Sequence, residues 1–115
     1  MSATWDRLHG AALLLAGAGP VKQRLAEAYR KYLVDVEIDE LPRELRAEFL
    51  SLSASLTAGR AVGGMSVIDA TVRKFSDAQA AAYAGRLITM YGLLAKSQVH
   101  AQRPPSLRAI NSSQG

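Results

Sequence analysis

None of the 115 residues is cysteine. A disulfide framework, a thiolate zinc site and a cysteine nucleophile are therefore excluded, and the absence fits a reducing compartment. Aromatics are scarce at 6%, so Ala and Leu must fill most of the core. These residues lose little on entering a helix. Long apolar runs are missing: the longest, Ala11–Ala16, is too short to cross a bilayer. The same run, with Ala16-Gly17-Ala18 behind it, imitates a secretory signal. Trp5 and Asp6 stand in the segment that should be basic, and Arg7 is nearly its only positive side chain, so secretion is not expected.

Hydrophobic residues make up 49% and charged residues 21%, the balance of a globular chain with one core. One domain over residues 1–100 and a flexible tail over 101–115 are expected, because Pro104-Pro105 stops the last helix and Asn111–Gly115 holds no core residue. Net charge is +4. Residues 1–58 hold 7 basic and 8 acidic side chains, and residues 59–100 hold 5 and 2. The positive charge is thus carried by the second half and the tail, without forming a dense basic arm.

Apolar spacing predicts helices near residues 3–16, 20–34, 42–57 and 77–98, with a short one at 66–75. Trp5, Leu8, Ala12 and Leu15 form the first stripe, and Gly17 and Gly19 end that helix. Pro20 and Pro42 suit first helical positions. Leu45, Phe49, Leu52 and Leu56 form the third stripe. Tyr83, Leu87, Tyr91 and Leu94 form the last, supported by Ala80, Ala84, Ile88 and Ala95. Ser66 with Asp69, and Ser76 with Gln79, are helix-start pairs. Gly85 and Gly92 lower the intrinsic stability of the last helix by ~1 kcal/mol each and suggest close helix contacts. Val34–Leu41 alternates apolar and acidic residues, the one strand-like period; with no partner strand it reads as an extended connector pinned to the bundle. The expected fold is all-α, a compact antiparallel four-helix bundle with one additional short helix.

Chemistry-bearing patterns are weak. Gly59–Ser66 resembles a phosphate cradle, but lacks a Gly-Lys-Ser/Thr ending and a preceding strand. Asp35, Glu37, Asp39 and Glu40 lack the spacing of a calcium loop. His9 and His100 make too small a ligand set for a metal. No G-x-S-x-G turn occurs. No cofactor and no enzymatic activity are expected. Two surfaces stand as candidates. Lys22, Arg24, Arg30, Lys31, Arg73, Lys74 and Arg86 would attract phosphates if they shared a face. Residues 66–75 and 77–98 superficially suggest a helix-turn-helix, but neither is dense in Arg, Asn and Gln. Tyr29, Tyr32, Tyr83 and Tyr91 suit an interface, or alternatively the edge of the chain's own core.

Val21-Lys22-Gln23-Arg24-Leu25 with Ala28-Tyr29-Arg30, Leu41-Pro42 with Leu45-Arg46, and Ala70–Asp77 resemble an uncharacterised family of small helical proteobacterial proteins. The resemblance spans residues 5–98 and transfers no site residue. It implies a bacterial cytoplasmic protein, compatible with carriage on mobile DNA. The functional expectation is a non-enzymatic regulatory or interaction protein that binds a protein partner or itself through helix faces. Its rival is a basic helical nucleic-acid-binding protein. No membrane association is expected.

Overall fold

A computed structural model describes the backbone of residues 3–101 and the side chains of residues 3–98. Among the described residues there are helices and no strand. Helix α1 spans Ala3–Leu15, α2 Val21–Ala28, α3 Arg43–Leu56, α4 Val67–Arg73 and α5 Asp77–Ala101. No described helix is long and apolar enough to cross a membrane. The expected tail lies outside the described residues, apart from Ala101, which belongs to α5.

Leucine builds the core, as the shortage of aromatics requires. Leu8, Leu25, Leu33, Leu41, Leu52, Leu56 and Leu94 are almost fully enclosed, with Met90, and Phe49 is the one buried aromatic among the described residues. Helix α2 packs against α1, α4 and α5; α5 also meets α1 and α3. All four stripe residues of α3 are buried. The α5 stripe differs at two places: Ile88 is 42% exposed, and Met90 takes a core position instead.

The second helix does not run unbroken to residue 34. After Ala28 it widens into a π-helical turn, Tyr29–Leu33, in which Val34 N–H donates to the Tyr29 carbonyl at 2.9 Å. Residues 34–41 then depart from the extended reading. Ile38–Glu40 is a turn of 3-10 helix, with Leu41 N–H donating to the Ile38 carbonyl at 3.0 Å. With no neighbouring strand, the backbone groups close local hydrogen bonds instead. The alternation therefore fails in part. Val36, Ile38 and Leu41 face the core, whereas Val34 is 53% exposed. Arginines tie the connector down: Arg7 donates to the Asp35 carbonyl at 3.0 Å, and Arg46 to the Leu41 and Asp39 carbonyls at 3.0 and 3.1 Å.

Both helix-start pairs form. Gln79 N–H donates to Ser76 Oγ at 3.0 Å while Ser76 N–H donates to Gln79 Oε1 at 2.8 Å. Asp69 N–H donates to Ser66 Oγ at 3.3 Å. Gly19 has φ +101°, a conformation that favours glycine after a helix end.

Gly85 and Gly92 do not mark contacts within the chain. A Cβ added at either would meet nothing within 4 Å, because both face away from the core. The close approaches occur elsewhere. Gly10 lies against the Tyr32 ring, and a Cβ on Gly59 would fall 2.7 Å from Thr71 Oγ1.

Candidate functional site

The seven basic candidates separate into two groups. Four are committed to local contacts. Arg24 donates to the Gly19 carbonyl at 2.8 Å and to that of Leu15, so it satisfies one carbonyl left open at the end of α1 and one in the turn that follows. Arg30 pairs with Asp69 and joins the π-helical turn to α4. Lys31 approaches Glu27 at 3.9 Å, one turn away. Arg86 reaches from α5 to Glu48 of α3 with two hydrogen bonds, at 3.0 and 2.9 Å. That bonding is the main reason the Glu48 carboxyl is held below its usual pKa and the Arg86 guanidinium above its own, with burial opposing both shifts and mutual attraction adding to them.

The other three converge. Lys22, at the start of α2, donates from Nζ to the Arg73 carbonyl at 3.0 Å. Arg73 and Lys74, at the end of α4, line a cleft with Arg60, Val62, Met65 and Ala70. Arg60 was legible only as part of the glycine-rich loop; nothing in its spacing links it to Arg73. The loop is drawn toward α4 because Gly59 N–H donates to Thr71 Oγ1 at 2.7 Å. Among the described residues, none of these four cations has a carboxylate within ion-pairing distance. Lys74 also lines an adjoining cleft that holds Ser55, Thr71, Phe75 and Tyr83.

The four tyrosines are half-buried against the core. Tyr32 covers Gly10. Tyr29 borders a shallow groove with Val34 and Val67. Tyr83 stacks on Phe75, centroids 5.0 Å apart, with the Arg86 guanidinium 5.6 Å from its ring centre. Tyr91 stacks on Trp5 at 5.3 Å, and its hydroxyl is hydrogen-bonded to His9 Nδ1 at 2.6 Å.

Other candidate positions are occupied by structural work. The Ser66 hydroxyl donates to Asp69 at 2.8 Å while capping α4. Glu40 accepts from Thr4 Oγ1. No group of acidic or histidine side chains able to hold a metal occurs among the described residues, and the His100 side chain lies outside them. Comparison with protein-family models, curated proteins and solved structures yields no significant match, so no activity or site residue carries over from a relative.

Proposed function

We propose that this chain acts without catalysis, as a small regulatory or interaction protein that associates with a second copy of itself through α5. The open face of that helix carries the reading. Ala78, Ala81, Gly85, Ile88, Gly92 and Ala95 recur at steps of three and four, so they form one seam. All but Ala95 are exposed. The charges described on α5 are Asp77, Arg86 and Lys96, and Arg86 turns away to Glu48.

The seam is self-complementary. If two α5 helices cross antiparallel, Ala78 meets the other copy's Ala95, Ala81 its Gly92, and Gly85 its Ile88. The one large side chain thus falls over a residue without Cβ, and the helices can approach closely. Small residues bury modest area, so the dimer is reversible and concentration-dependent. Sedimentation velocity across a concentration series tests it. The native chain should pass from monomer to dimer, and Ile88→Glu should remain monomeric with unchanged helix content. A chain that stays monomeric at every concentration overturns the reading, as does an Ile88→Glu variant that still dimerises.

The subunit in this proposal is an antiparallel four-helix bundle working in a bacterial cytoplasm. Two pairings support the antiparallel order. Gly10 faces Tyr32 while Leu15 meets Arg24, and Leu45 shares a groove with Leu93 while Glu48 meets Arg86. In each case numbers rise on one helix as they fall on its neighbour. Lack of cysteine fits the compartment. A second reading, nucleic-acid binding, is favoured by the convergence of Lys22, Arg60, Arg73 and Lys74. Retention on a nucleic-acid column that weakens steeply with salt would support it; no retention at low salt would remove it.

A further inference from the structure

The cations at the end of α4 stand beside an aromatic pair. Arg60, Arg73 and Lys74 line the first cleft, Phe75 and Tyr83 the second, and Lys74 belongs to both. Lys22 adds a fourth cation at the edge. Residues 59–77 contain two acids: Asp69, which Arg30 answers, and Asp77 at the start of α5. Like charges gathered without ion-paired carboxylates raise the local potential and attract polyanions. Because the four cations come from α2, the glycine-rich loop and α4, they cover more surface than one phosphate. A neighbouring apolar shelf of two rings is the other component that binding of an unpaired strand requires: phosphates along a basic groove, bases against aromatics.

Duplex reading fits less well. It asks for a helix whose first turns enter the major groove. Here Arg73 closes a seven-residue helix and Lys74 follows as its C-cap. Bases locked in a duplex would also be unable to reach Phe75 and Tyr83.

We infer that these joined clefts bind single-stranded nucleic acid, with Arg60, Arg73, Lys74 and Lys22 on phosphates and the Phe75–Tyr83 pair against a base. The inference rests on the nucleic-acid reading and narrows it to one form of ligand and one site. Fluorescence anisotropy of the full chain, with labelled single strands of DNA and RNA and the matching duplexes, tests it at low and raised salt. The native protein should hold a single strand more tightly than its duplex. Arg73→Ala with Lys74→Ala should weaken binding and flatten the log–log salt slope by roughly 1.4, the amount for two single-strand phosphate contacts. Tyr83→Leu keeps apolar bulk and removes the ring; it should weaken binding roughly fivefold or more with little change of slope. Arg43→Ala, at the start of α3, should bind as the native chain does. Circular dichroism checks that each variant is folded. If no nucleic acid binds at low salt, the nucleic-acid reading and this inference both fail. If duplex binds as well as single strand, or Tyr83→Leu binds unchanged, this inference alone fails.

Discussion

Gly10 lies under the Tyr32 ring, and a Cβ there would stand 2.8 Å from Tyr32 Cδ1. This contact, and not backbone conformation, is what a side chain here would disturb, since the residue lies inside α1 and the Tyr32 ring would have to shift. Gly10→Ala should therefore destabilise the fold by about 1–3 kcal/mol, the range for overpacking, despite alanine's better helix propensity. Urea unfolding checks the value. In a Tyr32→Ala background the same change should cost little or add stability, a coupling that a double-mutant cycle reads directly. The Glu48–Arg86 pair gives a second residue-scale prediction. The folded-state pKa of Glu48 lies below its ordinary value, chiefly because Arg86 hydrogen-bonds its charged form. The resulting stability is complete above the ordinary carboxylate range and disappears as pH falls through the depressed pKa. Both side chains are more than a third exposed, so the contribution stays below about 1 kcal/mol. Unfolding midpoints of the native chain and Glu48→Gln should differ slightly near neutrality and converge in strong acid; a gap that persists there would show that the pair acts by packing.

At the level of elements, Ser76 and Gln79 hold the start of α5 by bonding each other's backbone N–H groups. Ser76→Ala should cost about 1 kcal/mol of stability, read as a lower urea midpoint with unchanged slope. This pair was legible because capping acts over three residues, within the reach of local sequence. The α3 stripe was legible for the same reason: Leu45, Phe49, Leu52 and Leu56 all bury as their spacing implies. Val34–Leu41 was not. Its alternation matches a strand, but a strand needs a partner; the backbone closes local bonds instead, and Arg7 of α1 and Arg46 of α3 hold three of its carbonyls. Gly85 and Gly92 were legible only in part, for a related reason. Glycine spacing shows that a helix could be approached closely, not which body approaches. The candidate site was the least legible part. Arg24, Arg30 and Arg86 share a charge with Arg60, Arg73 and Lys74, yet tertiary placement commits the first three to carbonyls and carboxylates. The latter three line one cleft.

At the scale of the whole molecule, the two proposed surfaces make a joint prediction. The basic cleft lies just before α5, and the seam runs along that helix from Ala78 to Ala95. In the antiparallel pairing the first turn of each α5 sits beside the last paired turn of the other. At 1.5 Å per residue, the starts of the two α5 helices then lie roughly 28 Å apart along the axis, each preceded in sequence by its cleft residues. A short strand can fill only one cleft, whereas a long strand can fill both, and its second contact becomes intramolecular. Such linkage can raise apparent affinity by about two orders of magnitude without any new contact. Ile88→Glu, which removes the pairing and leaves the clefts intact, should therefore not alter affinity for a short single strand. Affinity for a long strand should fall toward the short-strand value. Anisotropy titrations with strands of both lengths, on protein held above the dimerisation midpoint, read the difference. Equal loss on both strands would mean that α5 pairing shapes the cleft itself, and no loss on either would mean that the copies bind independently.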